Sequence, residues 1–252
     1  MSKPDKPVTD GSGNPLSAAM LLAAGRGERM RPLTDTTAKP LLKVNGKRLI
    51  DYHLEKLASA GVQRVVVNTC WQSEKIVSTL GNGSAYGLDI EYSPESTALE
   101  TAGGIRKALN MLGEDPFLVV SADVWSDINY VDFLSITANL NDLSLMAHLL
   151  MVCNPPHHVD GDFSIDEHNR LCPKIDPDTI TRTTSSYTYS GIGLFRPEMF
   201  KELTVEPVPL REVLIPAIDA GQVGATIHSG KWFDVGTVDR LNALDTFLKK
   251  QV

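Results

Sequence analysis

The chain has 252 residues, of which 42% are hydrophobic, and these values fit one large α/β domain with an ample core. Its formal net charge is −7, so it has no overall basic field that would attract nucleic acid or an anionic membrane. Three cysteines without a C-x-x-C motif argue against a disulfide framework or a zinc site, and they predict a reducing, cytoplasmic compartment.

The first 17 residues are polar and rich in proline, glycine and aspartate. They lack the apolar segment of a secretory signal, and no run in the chain approaches the ~20 apolar residues of a membrane span. We therefore expect residues 1–17 to be a disordered extension, and residues 18–252 to form one domain without a membrane partner.

Strand-like and helix-like segments alternate through the first half of this domain. The sequence predicts strands at Ala18–Leu22, Arg64–Asn68, Leu88–Tyr92 and Pro116–Ser121, and helices at Leu49–Gly61, Ser73–Leu80 and Thr101–Leu112. Strands joined by helices predict an α/β fold with a single doubly wound, mostly parallel sheet that is flanked by helices.

The second half is less regular. The sequence predicts strands at Ser144–Val152, Tyr187–Phe195 and Val223–His228, a short hairpin at Phe163–Ile165 and Leu171, and helices at Pro209–Ala220 and Thr237–Lys249. Pro216 should lie near the end of its helix or kink it. Neither a repeat nor a linker divides the chain.

The segment after the first predicted strand has the composition of a phosphate-binding loop. Gly25 and Gly27 allow backbone N–H groups to come close to an anion. The cations that follow add positive charge: Arg26, Arg29, Arg31 and Lys39. A dinucleotide fingerprint does not fit because Met30 replaces its third glycine, and the motif G-x-x-x-x-G-K-[ST] is absent.

Topology predicts where this loop lies. Ligands of open α/β sheets bind beyond the carboxyl ends of the strands. The loop directly follows the strand Ala18–Leu22, and Asp123 follows the predicted strand F-L-V-V-S. We therefore expect the loop and Asp123 to line one crevice.

These residues resemble a known family. The letters L-A-A-G-R-G-E-R-M at Leu22–Met30, with K-P-L at Lys39–Leu41, are similar to the pattern L-A-A-G-x-G-x-R-[ML]-x-P-x-T…K-P of the sugar-1-phosphate nucleotidyltransferases. The resemblance extends over residues 18–248, and within the family it is greatest to the short N-acetylmuramate 1-phosphate uridylyltransferases of peptidoglycan recycling. It implies a Rossmann-like fold and transfer of a nucleotidyl group to a sugar 1-phosphate.

The resemblance also implies a set of nucleotide-binding residues: Leu22, Ala23, Ala24, Gly25, Arg26 and Gly27. Arg26 should reach the β- and γ-phosphates, because the guanidinium fork matches phosphate oxygens. Lys39 should add a point charge in a position that Pro40 restrains. Both residues are predicted to be catalytic.

Asp123 stands in S-A-D-V-W, and Asp234 stands in W-F-D-V-G-T, which resembles the family motif W-x-D-x-G-T. The resemblance implies that these two catalytic aspartates hold Mg²⁺. This ion takes a few carboxylates together with waters and phosphate oxygens. Taken alone, Asp123 could instead cap a helix, and either aspartate could be a turn residue.

The run Glu100–Gly104 resembles the family's nucleobase element, so Glu100 and Gly103 are predicted to bind the base. An ionised Glu100 only accepts hydrogen bonds. Uracil, thymine and guanine offer a ring N–H to such an acceptor, whereas cytosine and adenine do not. A capping acid in the first helical turn is the alternative for Glu100.

Two further segments resemble the family's sugar site, namely residues 154–163 and Tyr189–Ile192. They imply that the following residues bind the sugar: Asn154, Asp162, Tyr189 and Gly191. A side chain at Gly191 would block the pyranose face, although a glycine at a β-bulge is the alternative.

The predicted enzyme joins UTP and N-acetylmuramate 1-phosphate, giving a UDP-sugar and pyrophosphate. The attacking phosphate oxygen is already anionic, which agrees with the lack of a Ser/His/Asp or Cys/His arrangement. One alternative is a mannose 1-phosphate guanylyltransferase, which the single helix after Gly236 disfavours. The other is a silent regulatory homologue, which is disfavoured because both aspartates are present.

Overall fold

The computed structural model describes residues 18–136, 140, 144–173 and 185–251. The predicted extension at residues 1–17 lies outside these residues, as does Val252, so the domain boundaries remain predictions. The described strands are β1 (Ala18–Leu22), β2 (Lys43–Val44), β3 (Lys47–Arg48), β4 (Arg64–Thr69), β5 (Asp89–Pro94), β6 (Phe117–Ser121), β7 (Val124–Ser126), β8 (Ala147–Val152), β9 (Phe163–Ile165), β10 (Leu171–Cys172), β11 (Ser186–Phe195), β12 (Val223–His228) and β13 (Trp232–Asp234). The described α-helices are α1 (Leu33–Thr36), α2 (Leu49–Ser59), α3 (Ser73–Leu80), α4 (Glu100–Leu112), α5 (Tyr130–Leu134), α6 (Leu210–Asp219) and α7 (Val238–Lys249).

Nine strands form the main sheet, in the order β10-β9-β11-β6-β1-β4-β5, with β8 paired to both β11 and β12. Strands β5, β4, β1 and β6 run parallel, and β11 runs antiparallel to β6. Strands β8 and β9 are antiparallel to β11, and β12 is parallel to β8. Only β10 and β11 therefore oppose the other seven strands of this sheet, which confirms the predicted mostly parallel arrangement.

Helices cover both faces of the sheet. In β1, Ala19 and Leu21 join the core cluster that includes residues of α2, α3 and α5, whereas Ala18 and Met20 join the cluster that includes α4 and α6. Neighbouring side chains of a strand point to opposite faces, so an uninterrupted apolar run suits a strand that is covered on both sides. The doubly wound architecture is confirmed.

Most predicted elements agree with the structure to within a few residues. The sequence analysis missed the two-stranded sheet formed by β7 and β13, in which Asp234 pairs with Val124. Each of these strands has only three residues, too few for a periodic pattern. Pro216 lies within α6, three residues before its end. No described helix has the length and hydropathy that a membrane crossing requires.

Candidate active site

The first of two adjoining cavities lies beyond the carboxyl ends of β1, β4 and β6, and it is named the nucleotide cleft after the predicted nucleotide-binding residues in its wall. It has a volume of about 280 Å³ and is lined by Leu22, Ala23, Ala24, Gly25, Lys39, Pro40, Asn68, Glu95, Ala98, Glu100, Thr101, Ser121 and Asp123. Gly25 and Lys39 of the predicted loop therefore line one crevice with Asp123, as the topology indicated, whereas Arg26 and Gly27 do not line it.

Buried hydrogen bonds hold the wall of the nucleotide cleft. Asn68, in β4, accepts the backbone N–H of Ala23 at 2.7 Å, and its side-chain amide donates to Glu95 Oε1 at 2.7 Å. The other oxygen of Glu95 accepts the N–H of Leu99 at 3.0 Å. Sequence reasoning missed Asn68 and Glu95, although an asparagine after three valines at a strand end was a usable signal.

The two glycines of the loop have different surroundings. A Cβ on Gly25 would meet no atom within 4 Å, so its backbone faces open space at the cleft. Gly27 has φ +67°, and a Cβ there would lie 3.0 Å from Cγ2 of Thr34. The Thr34 hydroxyl donates to the carbonyl of Gly27 at 2.8 Å. Gly25 is therefore free for close approach, whereas Gly27 shapes the turn.

Arg26 follows Gly25, which lines the nucleotide cleft, but Arg26 itself is not part of the cleft wall. Its guanidinium carbon is 4.5 Å from the ring centroid of Trp71, a cation–π distance. Its Nη1 lies 3.6 Å from Glu28 Oε1, and half of the Arg26 side chain is exposed. Trp71, which the sequence analysis did not single out, is anchored by donating to the carbonyl of Thr34 at 2.9 Å.

Lys39 and Asp123 form an ion pair inside the nucleotide cleft. The Lys39 side chain is only 10% exposed, whereas that of Asp123 is 42% exposed. A buried ammonium needs a compensating charge, and here the carboxylate provides it. The sequence analysis assigned both residues to one site, and the structure brings them together.

Asp234 lies beside Asp123 because of the small β7–β13 sheet. Asp234 pairs with Val124, and the N–H of Val235 donates to the carbonyl of Asp123 at 2.8 Å. Arg240 forms an ion pair with Asp234, and His157 Nε2 is 3.0 Å from Asp234 Oδ1. Two acids that are 111 positions apart in the chain thus come from neighbouring backbone segments.

The second cavity, named the acceptor cavity after the predicted sugar-binding residues in its wall, has a volume of about 580 Å³ and shares Leu22, Thr101 and Ser121 with the nucleotide cleft. Its other lining residues are Arg29, Val124, Pro155, His157, His158, Asp162, Phe163, Thr188, Tyr189, Ser190, Gly191, Leu210, Arg211, Leu214, Trp232, Asp234 and Arg240. Three predicted sugar residues, Asp162, Tyr189 and Gly191, are among them.

Asp162 and Gly191 shape the acceptor cavity. Asp162 accepts the N–H of Tyr189 at 2.8 Å through one oxygen, and its other oxygen lies 3.1 Å from His158 Nε2. Gly191 has φ +80°, and a Cβ there would lie 2.9 Å from the Ser121 hydroxyl oxygen. Glycine is therefore required at position 191 by the backbone and by its neighbour.

Four predicted binding residues lie outside the walls of both cavities, namely Arg26, Gly27, Gly103 and Asn154. A Cβ on Gly103 would come within 2.0 Å of the carbonyl oxygen of Glu206, so this glycine serves the close packing of α4. The Asn154 amide donates to the carbonyl of Val159 at 3.0 Å, and its oxygen accepts from Thr188 at 2.9 Å. Asn154 thus holds the loop that carries Asp162.

Glu100 lines the nucleotide cleft as the first residue of α4. Its φ of +56° lies in the left-handed region, which non-glycine residues adopt at a cost of about 1 kcal/mol or more. Glu100 adopts this conformation where the loop that contains Glu95 enters α4. Whether Glu100 binds the base remains a prediction.

Comparison with known proteins agrees with this geometry. Residues 18–251 match the family described as nucleotidyl transferase. The chain belongs to this family. A relative from Neisseria meningitidis serogroup B, N-acetylmuramate alpha-1-phosphate uridylyltransferase, is 48% identical over 225 residues, which cover 88% of this chain and 94% of the relative. A protein of the same name from Caulobacter vibrioides is 46% identical and covers 86% of this chain and 91% of its own length.

A solved structure, HddC from Yersinia pseudotuberculosis complexed with GMP-PN, superposes with a TM-score of 0.74. The match covers 92% of this chain and 99% of HddC at 17% identity, so it shows the fold alone. The resemblance to sugar-1-phosphate nucleotidyltransferases, which the loop residues indicated, is confirmed by the family match and by the two relatives.

Nucleotidyltransferases generally use a divalent metal ion. The described part of this nucleotidyltransferase contains no group of three or more His, Cys, Asp or Glu side chains arranged around a point. Asp123 and Asp234 nevertheless fit such an ion, because Mg²⁺ usually takes one or two carboxylates and completes its shell with waters and substrate phosphates. The Asp123 side chain is 42% exposed and that of Asp234 is 29% exposed, and their partners within the chain are Lys39, His157 and Arg240.

A buried histidine supports strand β7, which begins directly after Asp123 in this nucleotidyltransferase. His53 Nε2 lies 2.7 Å from the carbonyl of Val124, and Nδ1 lies 2.8 Å from the hydroxyl of Tyr130. The carbonyl can only accept, so Nε2 carries the proton and Nδ1 accepts from the tyrosine. Burial lowers the pKa of His53 from 6.5 to about 4, which keeps the ring neutral.

Proposed function

We propose that this nucleotidyltransferase transfers a uridylyl group from UTP to N-acetylmuramate 1-phosphate and releases pyrophosphate. The observation that carries the proposal is that Asp123, in the wall of one cavity, and Asp234, in the wall of the other, lie on adjoining backbone segments. One cavity then holds the donor and the other holds the acceptor. The relatives that bear this activity in their names match over more than nine-tenths of their own length.

The nucleotide cleft suits a base that donates a ring N–H. Glu95 and Glu100 both line it, and carboxylates accept hydrogen bonds without donating them. Asn68 and the N–H of Leu99 hold the Glu95 carboxylate, so its remaining lone pairs have a defined direction. Uracil satisfies this chemistry, and cytosine and adenine do not.

The triphosphate lies along the loop after β1. The open space over Gly25 admits phosphate oxygens to the backbone, and Lys39 provides a charge that is already ordered by Asp123. Arg26, on the face of Trp71, directly follows Gly25 and meets the β- and γ-phosphates where they leave the cleft. These groups offset the negative charge that grows on the departing pyrophosphate.

The acceptor's own phosphate is the nucleophile, and it is dianionic for much of the neutral range because its second pKa is about 6. No residue has to remove a proton from it. Arg29 and Arg240 lie at the Asp234 end of the acceptor cavity, since both guanidinium groups approach Gly236, and they orient the attacking phosphate. Catalysis then consists of alignment and charge neutralisation.

Asp123 and Asp234 are the residues that would hold Mg²⁺. The ion, when bound, supplies positive charge to the reacting phosphates. Three free cysteines, Cys70, Cys153 and Cys172, suit the reducing cytoplasm, where UTP is present. This location accords with a role in recycling cell-wall muramate.

The test is an incubation of the purified chain with Mg²⁺, UTP and N-acetylmuramate 1-phosphate, followed by pyrophosphate release. GTP with mannose 1-phosphate is the comparison pair, and the Asp123→Asn, Asp234→Asn double variant is the blank. We expect turnover with the first pair only. Turnover with the GTP pair alone would show that the uridylyl assignment is wrong, and no turnover with either pair would favour a silent homologue.

A further inference from the structure

N-acetylmuramate 1-phosphate carries two anionic groups. The phosphate is attached to C1 of the ring, and a lactyl ether at C3 carries a carboxylate and a methyl group. A rigid pyranose separates the two charges, so one cation cluster cannot hold both. N-acetylglucosamine 1-phosphate is the same molecule without the lactyl group. An enzyme that selects the muramate therefore needs a second cation at a distance from the reacting phosphate.

The acceptor cavity contains three arginines in two places. Arg29 and Arg240 lie together at Gly236, beside Asp234, and α7 and β13 pack in the core cluster that includes Met30. Arg211 belongs to α6, which packs with α4 on the opposite face of the main sheet from α2. The cavity thus has one cationic wall at the reaction centre and a separate arginine on the wall formed by α6.

Arg211 is not committed to another structural partner. It forms no ion pair or side-chain hydrogen bond with any residue of the described ranges, whereas Arg240 is paired with Asp234. Leu214 lies three positions after Arg211 in α6, so both residues are on the same side of the helix. Leu214 also lines the acceptor cavity. The guanidinium of Arg211 beside the side chain of Leu214 is therefore complementary to the lactyl group, which has a carboxylate beside a methyl group.

We infer that Arg211 binds the lactyl carboxylate of N-acetylmuramate 1-phosphate and makes this chain select the muramate over N-acetylglucosamine 1-phosphate. The inference rests on the proposed function. The planar guanidinium donates two parallel hydrogen bonds to the carboxylate, and Leu214 packs against the lactyl methyl. Arg211 is a specificity residue in this assignment, because it touches the acceptor away from the reacting atoms.

The experiment measures kcat and KM for both sugar phosphates at saturating UTP and Mg²⁺, in the wild type and in Arg211→Ala and Arg211→Lys. We expect Arg211→Ala to lower kcat/KM for the muramate about 30-fold, mainly through KM, as loss of a charge-assisted pair does. The kcat/KM for N-acetylglucosamine 1-phosphate should change by less than about twofold in Arg211→Ala. Arg211→Lys should recover part of the loss, since lysine keeps the charge but not the fork.

Glu212→Gln is the matched control, because Glu212 is the next residue of the same helix, is exposed and lies outside the cavity. If the wild type does not turn over N-acetylglucosamine 1-phosphate, equilibrium binding gives the same comparison through tryptophan fluorescence, since Trp232 lines the cavity.

Equal loss for both acceptors, or no loss for the muramate, would overturn the role of Arg211. Equal kcat/KM values of the wild type for both acceptors would also overturn the role of Arg211. Failure of the wild type to use the muramate at all would instead refute the proposed function, and with it this assignment.

Discussion

The neutral histidine that supports β7 makes the fold sensitive to acid. His53 is 2% exposed, and its ring bridges α2 to the carbonyl of Val124 and the hydroxyl of Tyr130. Protonation at Nδ1 would place a charge in the core and a second N–H against the tyrosine hydroxyl. His148 is also buried, and burial likewise lowers its pKa to about 4.

The size of the effect follows from the pKa difference between the folded and the unfolded chain. In the unfolded chain each histidine titrates near 6.5, and in the folded protein these two titrate near 4. Between these values the unfolded state binds more protons, so stability is fully present above pH 6.5 and falls as the pH drops towards 4. From pH 7 to pH 5, each histidine should remove about 2 kcal/mol from the free energy of unfolding.

Urea denaturation at pH 7 and pH 5 measures this loss in the wild type and in His53→Gln, His148→Gln and His168→Asn. Each of the first two variants should reduce the pH-dependent loss by about 2 kcal/mol, whatever its stability at pH 7. His168 is the control because its side chain is 74% exposed. The same pH-dependent loss in His53→Gln as in the wild type would refute the assignment of a neutral, buried ring.

Two further predictions concern the site. Asp123→Asn and Asp234→Asn should each lower kcat at least ~100-fold in the pyrophosphate assay, which corresponds to about 3 kcal/mol of lost charge stabilisation. Asp132→Asn, which changes an exposed residue of α5, is the control and should leave kcat unchanged. A near-normal rate in either of the first two variants would exclude that aspartate from the metal site. Gly25→Ala should leave the melting temperature unchanged, because its Cβ meets no atom within 4 Å, but should raise the KM for UTP about tenfold. An unchanged KM would show that the phosphates do not approach this backbone.

The sequence predicted the parts of the fold that depend on local pattern. Strands β1 and β6 consist almost entirely of apolar residues, β4 contains three consecutive valines, and all three strands are largely buried. Such runs can be recognised without knowledge of the neighbouring strands. The glycines and cations after β1 could be recognised from the local sequence for the same reason. The rule that ligands bind beyond the carboxyl ends of parallel strands then placed Asp123 at the same crevice.

The sequence could not predict contacts that join distant segments. The hydrogen bonds among Ala23, Asn68 and Glu95 link three separate segments of the chain. Gly103 was predicted to bind a base, but its lack of a side chain serves the close approach of the Glu206 carbonyl. Asn154 resembled a sugar ligand, but its amide is engaged within its own loop and with Thr188.

The amino-acid sequence by itself determined the doubly wound α/β class and supplied the prediction of a phosphate loop and two acids, because periodicity and turn chemistry are local properties of the chain. Only the tertiary structure decided that Asp234 stands beside Asp123, since that depends on a three-residue strand pairing across more than a hundred positions. It also decided that Arg211 lines the acceptor cavity without an acidic partner among the described residues, because charge pairing depends on the packing of distant segments.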